Sequence, residues 1–299
     1  MWRGSKQFCS QLVKRFPSIK TIVLNVNTRR TPIVLGNEDK VLYGKGFIVD
    51  ELCGLKFKIS PQAFYQINHD QCVNLYTKAL SLLNIKGNET AIDAYCGIGT
   101  IGMILSQKVK QVIGVESNKD AIKDAKNNAR MNQLSNIQFV CDDATEFMKK
   151  LAKERYKVDV VIMDPPRSGS TKQFMDSIKI LNPKQVVYIS CDPTTQIRDI
   201  QYFKKIGYHT HTMHLYDMFP HTRHVESIVL LSHKSPDSHI DVKVEFGEGE
   251  EKVPLDKIAE RAKQYQPAPR VTYKMIQEYI EEKYGFKVHT AYIAEVKRN

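Results

Sequence analysis

No segment of this 299-residue sequence is long and apolar enough to cross a membrane, and residues 1–10 lack the apolar stretch of a signal peptide. The six cysteines show no paired spacing, which argues against a disulfide framework and against a zinc site. Three histidines between residues 209 and 214 have no acid or cysteine at ligand spacing, so we expect no metal. These absences predict a cytoplasmic protein with reduced thiols.

The sequence is also short of acidic residues. It has 33 Asp and Glu against 44 Lys and Arg, which gives a formal net charge of +11 and an isoelectric point near 9.2. Such a balance favours a polyanionic partner such as RNA. The length is sufficient for one large domain with additions, and we expect a monomer.

Short apolar, β-branched runs alternate with helical segments through the middle of the sequence. Asn118, for example, can cap a helix that runs to about Met131. This alternation predicts an α/β fold with a doubly wound, mostly parallel sheet of seven strands. The predicted strands are 90–92, 112–116, 136–140, 158–163, 186–189, 208–215 and 225–232.

The segments on either side of this sheet are less regular. We predict a partial β-rich RNA-binding subdomain over 1–62, a catalytic domain over 63–233, and a linker with a helical extension over 234–299. Within the first, turns are predicted at 37–39 and 43–46. Amphipathic patterns predict helices over Asn68–Leu83 and Thr272–Tyr284.

A glycine-rich loop follows the first predicted strand of the sheet. It runs from Asp93 to Gly102, and its glycines permit a tight turn and a close approach of the backbone to a ligand. The pattern also suits a dinucleotide, but the opening aspartate favours S-adenosylmethionine. Glu116 ends the next strand, where an acid commonly accepts both ribose hydroxyls. An acid at 142 or 143 could meet the adenine amino group.

One thiol is placed at the carboxyl end of a predicted strand. Cys191 follows the apolar run Val186–Ile189, and Pro193 can open a helix after it. In an open parallel sheet this edge binds ligands. Cys191 is therefore a candidate nucleophile, although a lone strand cysteine can also be a buried structural residue.

Methylation of a pyrimidine at C5 needs such a thiol. C5 of uracil is a poor nucleophile until a thiolate has added at C6, and a base must then remove the C5 proton before the thiol leaves. Glu226, in the stretch His224–Ser227, is the candidate base. Arg167 follows Asp164-Pro165-Pro166 where amine-directed methylases place an aromatic residue, so it disfavours that chemistry.

Several stretches together resemble the RNA (uracil-C5)-methyltransferase family over about residues 10–233. The stretches are Ser60–Asn68, Asp93–Gly102, Asp164–Gly169, Ser190–Thr195 and Met218–Ser227. The resemblance implies a class I S-adenosylmethionine-dependent methyltransferase fold, with Cys191 as nucleophile and Glu226 as base. It implies ligand-binding positions at Gln66, Tyr95, Thr100, Glu116, Asp143 and Asp164, the last of which can also lie near the uracil. The expected substrate is RNA, with ribosomal RNA favoured over transfer RNA.

The sequence departs from the family at its beginning. Family members usually start with a small β-barrel that grips RNA, whereas this sequence starts within the central β-rich domain, so we expect the barrel to be missing. Two other interpretations therefore stay open. One is a catalytically impaired remnant that still binds RNA and cofactor, and the other is an amine-directed nucleic-acid methyltransferase.

Overall fold

A computed structural model of the protein describes residues 3–28, 34–36, 38–222 and 224–233, together with the backbone of 241–244. The helices are α1 (Ser5–Arg15), α2 (His69–Ser81), α3 (Thr100–Ser106), α4 (Lys119–Met131), α5 (Ala144–Lys153), α6 (Lys172–Leu181) and α7 (Pro193–Lys205). The strands are β1 (Thr21–Val26), β2 (Glu38–Gly44), β3 (Ile48–Leu52), β4 (Leu55–Ile59), β5 (Thr90–Ala94), β6 (Gln111–Glu116), β7 (Ile137–Cys141), β8 (Val160–Met163), β9 (Gln185–Ser190), β10 (His209–Tyr216), β11 (Glu226–Ser232) and β12 (Asp241–Val244).

The largest sheet has the strand order β12-β10-β11-β9-β8-β5-β6-β7. Strands β5 to β9 are mutually parallel, and β11 runs antiparallel to both β9 and β10. All seven predicted strands lie in this sheet, which confirms the α/β, mostly parallel prediction. One short strand is added at the edge, where β12 pairs parallel with β10. Four residues of alternating type are too few for a sequence pattern to distinguish them from a linker.

Helices cover both faces of the sheet, and each face has its own apolar core. Helices α2, α3 and α4 pack on one face with side chains such as Leu75 and Met103. Helices α5, α6 and α7 pack on the other with side chains such as Met148 and Phe203. Strand β8 is buried along its whole length. Burial on both faces is typical of parallel sheets and explains the unbroken apolar runs in the sequence.

The helix ends agree with the capping residues in the sequence. Asn118 accepts hydrogen bonds from the backbone N–H groups of Asp120 and Ala121, at 2.9 and 3.2 Å. The helix it caps ends at Met131, as predicted. Helix α7 begins at Pro193, and Asp192 caps it by accepting from Thr194 N at 2.9 Å. This cap fixes the backbone directly after Cys191.

The β-rich region before α2 consists of two antiparallel pairs, β1 with β2 and β3 with β4. The predicted turn at 37–39 is wrong, because Glu38 and Asp39 lie within β2. The glycines of the 43–46 stretch do adopt positive φ, but the strands on either side of it belong to different pairs. The hairpin turn is instead at Cys53 and Gly54, with φ of 50° and 76°.

Two asparagines attach the second hairpin to the large sheet's helix layer. Asn132, the C-cap of α4, accepts from Lys56 N at 2.8 Å and donates to Lys56 O at 2.7 Å. One turn earlier, Asn128 makes the same pair of bonds with Lys58 at 2.8 and 3.3 Å. The two side chains thus hold β4 as a neighbouring strand would.

The predicted domain boundary at residue 62 stays a prediction. The helix predicted at 272–284 lies outside the described residues.

Candidate active site

The predicted site residues lie at one edge of the large sheet. Strands β5, β6, β8 and β9 end there, and the antiparallel β11 begins there. Four of the predicted residues line a single cavity together with Asp93 and the glycine-rich loop; these four are Gln66, Tyr95, Thr100 and Asp164. An edge of this kind gathers side chains from several strands around one ligand.

Asp93 fixes the glycine-rich loop from below. It is 2% exposed, and its carboxylate accepts a hydrogen bond from Gly102 N at 2.8 Å. A Cβ atom at position 102 would lie 2.7 Å from Asp93 Oδ2, so this approach requires glycine. Burial raises the pKa of Asp93 to about 7, against the lowering effect of that bond. The loop is therefore held by a carboxyl group that titrates near neutral pH.

Glu116 is oriented by the backbone around it. Its Oε1 accepts from Asn118 N at 2.7 Å, and its Oε2 accepts from Gly97 N at 3.3 Å. The carboxylate thus faces the loop and still has acceptor capacity for a ligand's hydroxyl groups. This is the place in which the sequence predicted a ribose-binding acid.

Gln66 presents an unused acceptor to the cavity. The side chain is 7% exposed, and Oε1 is buried without a hydrogen-bond partner among the described residues. A buried amide oxygen without a donor costs about 1–3 kcal/mol, so the arrangement suits a ligand that donates to it. Asn68, two residues on, donates to Met218 O at 3.1 Å and joins this loop to the segment before β11.

The structure separates the two acids that the sequence left as alternatives. Asp142 accepts from Asp143 N through one oxygen and pairs with Lys150 at 2.6 Å through the other. Asp143 uses Oδ1 to cap α5, where it accepts from Thr145 N and Glu146 N. We therefore favour Asp143 as the ligand-binding acid.

Cys191 and Glu226 lie next to each other at the adjoining ends of two neighbouring strands, β9 and β11. Ser190 pairs with Ser227 in the antiparallel register of β9 and β11. Cys191 follows Ser190 and Glu226 precedes Ser227, so the same register places Cys191 opposite Glu226. Glu226 is 4% exposed, whereas Cys191 is half-buried. The sequence predicted both residues, and the structure brings them together.

Burial controls the titration of these groups. Burial raises the pKa of Glu226 to about 7, although Arg167 opposes the rise. Burial and then the charge of Glu226 hold the pKa of Asp164 well above its usual range. Burial also raises the pKa of the Cys191 thiol, followed by the charges of Glu226 and Asp164. A base with a pKa near the working pH suits proton transfer.

Arg167 has a position that the sequence did not predict. Its guanidinium lowers the pKa of the Cys191 thiol by hydrogen bonding and by charge, and its Nη2 lies 3.1 Å from His224 Nδ1. From the sequence alone, this arginine indicates only that amine-directed methylation is disfavoured. Cys191 is 24 positions from Arg167 along the chain, so their contact depends on the tertiary fold and no local sequence pattern predicts it.

The loop that carries Arg167 is held by a buried carboxylate. Asp199 is 1% exposed and accepts from Ser170 N at 2.7 Å and from the Tyr188 hydroxyl at 2.8 Å. Arg198 pairs with it at 2.7 Å and also donates to Ser168 O at 2.9 Å. The sequence gives no sign of these contacts, because Ser168 and Ser170 lie about 30 residues before Arg198 and Asp199 along the chain.

Comparison with known proteins gives the arrangement a context. The family model described as tRNA (Uracil-5-)-methyltransferase matches residues 33–234. An uncharacterized RNA methyltransferase of Bacillus cereus is 44% identical over 229 residues, which cover 77% of this chain and 50% of the relative. A second, from Caldanaerobacter subterraneus, is 43% identical over 226 residues, with 76% and 50% covered. The chain thus spans about half the length of the curated relatives it matches.

Solved structures agree with the fold. A Pyrococcus abyssi tRNA (uracil-54, C5)-methyltransferase in complex with S-adenosyl-L-homocysteine superimposes with a TM-score of 0.61 at 31% identity, covering 73% of this chain and 52% of that one. A putative SAM-dependent methyltransferase from Streptococcus mutans has a TM-score of 0.54 at 11% identity, with 75% and 64% covered, and shows the fold alone. The predicted class I fold is confirmed.

Proposed function

The chain belongs to the tRNA (uracil-5-)-methyltransferase family, and we propose that it methylates C5 of a uridine in RNA. The observation that carries the proposal is the register of β9 against β11, which sets a half-buried thiol opposite a buried carboxyl group. A thiol and a base next to each other at the ligand-binding edge of the sheet are the two groups that methylation of a pyrimidine carbon requires.

S-adenosylmethionine is the cofactor and supplies the methyl group that C5 receives. The cavity fits it, because Gln66 offers a buried acceptor without a partner and Glu116 faces the glycine-rich loop with capacity for hydroxyl groups. We assign Tyr95, Thr100 and Asp143 to the same binding site. Asp164 lies between this site and Cys191, where it can contact the uracil.

Cys191 carries out the first step on the base. Its thiol loses a proton, and the thiolate adds to C6 of the uracil, which makes C5 nucleophilic. After C5 has been methylated it holds both a methyl group and a hydrogen. Glu226 removes that hydrogen as a proton, the electron pair restores the C5–C6 double bond, and the C6–S bond breaks. The net change is replacement of the C5 hydrogen by methyl with release of one proton.

The surroundings of both groups suit these roles. Glu226, with a pKa raised by burial to about 7, can be ionised at neutral pH and still take up a proton readily. Arg167 lowers the pKa of the thiol, against burial and two nearby carboxyl groups. Only the thiolate is nucleophilic, so this arginine increases the reactive fraction of Cys191.

A direct test incubates the chain with S-adenosylmethionine and purified transfer or ribosomal RNA, each taken from a strain that lacks 5-methyluridine. Nucleoside mass spectrometry of the products then identifies the methylated base. We expect 5-methyluridine, and an N-methyl base would instead support an amine-directed enzyme. Separate analysis of the two RNA classes tests the prediction of ribosomal RNA, which stays a prediction.

A second candidate is a catalytically impaired member of the family, a remnant that binds RNA and cofactor but does not turn over. Calorimetric titration with S-adenosylmethionine and with an RNA stem-loop separates the two cases. Binding of both ligands without any methylated nucleoside would favour the remnant.

In the described residues no helix reaches the length and apolarity needed to span a membrane. The predicted cytoplasmic location stays a prediction.

A further inference from the structure

A buried polar network lies directly behind Cys191 and Glu226. The side chain of Gln196 in α7 is fully buried, and its amide nitrogen donates to Tyr188 O at 3.0 Å. The Ser227 hydroxyl, also fully buried, lies 2.7 Å from Gln196 Oε1 and 3.1 Å from Ser190 O. The network thus joins α7, β9 and β11 at a single point.

Each end of this network is one residue away from a reactive group. Ser190 precedes Cys191, and Ser227 follows Glu226. Ser190 also braces the turn around the thiol, since its hydroxyl donates to Asp192 O at 3.0 Å and accepts from Asp192 N at 3.1 Å. A shift of Ser227 relative to Ser190 would therefore change the separation of the thiol and the carboxyl group.

The network goes beyond what the strand pairing needs. Strands β9 and β11 are already joined along six registered pairs. A buried glutamine and a buried serine each cost free energy unless they are fully hydrogen-bonded. The Ser227 hydroxyl has one proton and two acceptors within reach, and the nearer acceptor is the Gln196 amide oxygen. Gln196 thus fixes the direction of the serine.

We propose that Gln196 and Ser227 are positioning residues that set the separation of Cys191 and Glu226. The inference rests on the proposed function for its catalytic meaning, but the geometric claim has its own test. Gln196 contacts β9 and β11 from helix α7, through Tyr188 O and the Ser227 hydroxyl. It therefore sets the separation of Cys191 and Glu226 independently of the strand ends, which can fray. Neither residue contacts the ligand cavity in the described structure.

The first experiment measures the Cys191 thiol and requires no substrate. Iodoacetamide alkylation of Cys191 is followed against pH by peptide mass spectrometry in the full chain, with the exposed Cys141 as internal reference. The charges of ionised Glu226 and Asp164 disfavour formation of the Cys191 thiolate, and Arg167 favours it. Glu226→Gln should therefore lower the pH at which alkylation of Cys191 reaches half its maximal rate, which is the alkylation midpoint. If Gln196 holds the carboxyl group in place, this effect should shrink by at least half in a Gln196→Met background.

A matched control lies at the other end of the same strand pair. Gln185, paired with Ser232, makes two hydrogen bonds with the backbone of Asn84. Gln185→Met should lower thermal stability but leave the Glu226→Gln effect on the Cys191 midpoint unchanged. An equal effect of Glu226→Gln in the wild-type and Gln196→Met backgrounds would overturn the proposal. Circular dichroism shows which variants are folded, and Ser227→Ala provides a second variant with the same expected result.

The second experiment measures turnover. Gln196→Met and Ser227→Ala should each lower kcat about 10- to 100-fold with little change in the KM for RNA, because a displacement of about 1 Å at the reacting groups costs this much. The double variant should be hardly worse than either single one, since both break the same network. An unchanged kcat in folded single variants would also overturn the proposal. If the wild-type chain makes no 5-methyluridine, the proposed function fails, and the alkylation result still decides the geometric claim.

Discussion

Ser227 lies opposite Ser190 in the antiparallel pair of β11 and β9, and its hydroxyl is 3.1 Å from the Ser190 carbonyl oxygen. This pairing places Glu226 directly across from Cys191 at the edge of the sheet. The antiparallel direction of β11 is essential here. A parallel strand would bring its carboxyl end to this edge, and the start of the strand would lie at the opposite edge of the sheet.

The opposed pair predicts which intermediate accumulates when the base is removed. In Glu226→Gln the amide keeps the shape of the carboxylate but cannot accept a proton at neutral pH. Addition of Cys191 and methylation should proceed, whereas elimination should be blocked. Methylated RNA should then stay covalently attached, and denaturing gels should show a slowly migrating band.

Two controls define that band. The double variant Cys191→Ala, Glu226→Gln should show no such band, because the bond to C6 is made by the thiol. The unmutated chain with 5-fluorouridine RNA should show the band, since fluorine cannot leave as a proton does. Release of product at the normal rate by Glu226→Gln would mean that another group is the base, and Asp164 and His224 are then the next candidates.

Cys191→Ala alone should separate chemistry from cofactor binding. Methyl transfer should fall by several orders of magnitude, because the nucleophile is removed. Affinity for S-adenosylmethionine, measured by calorimetric titration, should be unchanged, because the residues assigned to the cofactor belong to the segment before α2, the loop after β5, the end of β6 and the cap of α5. A folded variant that no longer binds cofactor would contradict the assignment of Cys191 to the base side of the site.

Glu116→Ala should weaken S-adenosylmethionine binding by about 1–3 kcal/mol through lost charge-assisted hydrogen bonds. The structure adds a second reason, since this carboxylate also accepts from Gly97 N and Asn118 N and so supports the loop. Glu116→Gln keeps one acceptor oxygen and should have an intermediate effect. Turnover at saturating cofactor should change little, and a large kcat defect at unchanged affinity would place the acid on the other side of the site.

Replacement of Arg167 should slow the formation of the adduct. Arg167→Met removes the group that lowers the pKa of the thiol, so less thiolate is present at neutral pH. We expect adduct formation with 5-fluorouridine RNA to be about 10-fold slower, which corresponds to a change of 1.4 kcal/mol. Arg167→Lys should be intermediate, because it keeps the charge but loses the planar fork.

Arg130→Met is the control for the general effect of charge on RNA binding. Arg130 is exposed in the last turn of α4, at the opposite edge of the sheet, and its loss changes the net charge by the same amount. An equal slowing in both variants would show that Arg167 acts through attraction of RNA and not through the thiol.

Much of the fold could be predicted from the sequence because a buried parallel sheet leaves a strong local pattern. The predicted strand 112–116 is Gln111–Glu116, and the predicted cap Asn118 makes its two bonds. The edge strand β12 was not predicted, because its pairing with β10 depends on a partner about 30 residues away. The turn at 37–39 was predicted wrongly because polar residues in an exposed strand resemble those of a turn.

The candidate site divides in the same way. Cys191 and Glu226 are identified by the motifs that contain them, and strand order explains why they meet. The supporting groups carry no such pattern. Asp199, Arg167 and Gln196 act through Tyr188, Cys191 and Ser227, which lie 11, 24 and 31 residues away along the chain. Only the folded chain brings these partners together. The motifs therefore predict the two groups of the proposed reaction, but they give no sign of the residues packed around them.

The buried base should also lower the stability of the protein at high pH. The pKa of Glu226 is about 7 in the folded chain against an ordinary value of 4.5, so the folded state binds this proton more tightly than the unfolded state. Its contribution to stability is therefore fully present below about pH 4.5 and is lost as the pH rises through about 7. Glu226→Gln cannot ionise, and it should be more stable than the unmutated chain only at high pH.

The expected gain is at most about 3 kcal/mol near pH 9 and below about 1 kcal/mol near pH 5, at 1.36 kcal/mol per unit of pKa. Asp93 and Asp164 also have raised pKa values, but both variants contain them, so their effects largely cancel in the comparison. Denaturant unfolding at the two pH values provides the measurement. Glu146→Gln, at an exposed ion pair with Lys149, is the control and should show no such gain. If Glu226→Gln has the same relative stability at both pH values, the carboxyl group ionises as an exposed glutamate does. The chain would then hold a base that is always charged at neutral pH, and the rate of proton removal should not depend on pH around 7.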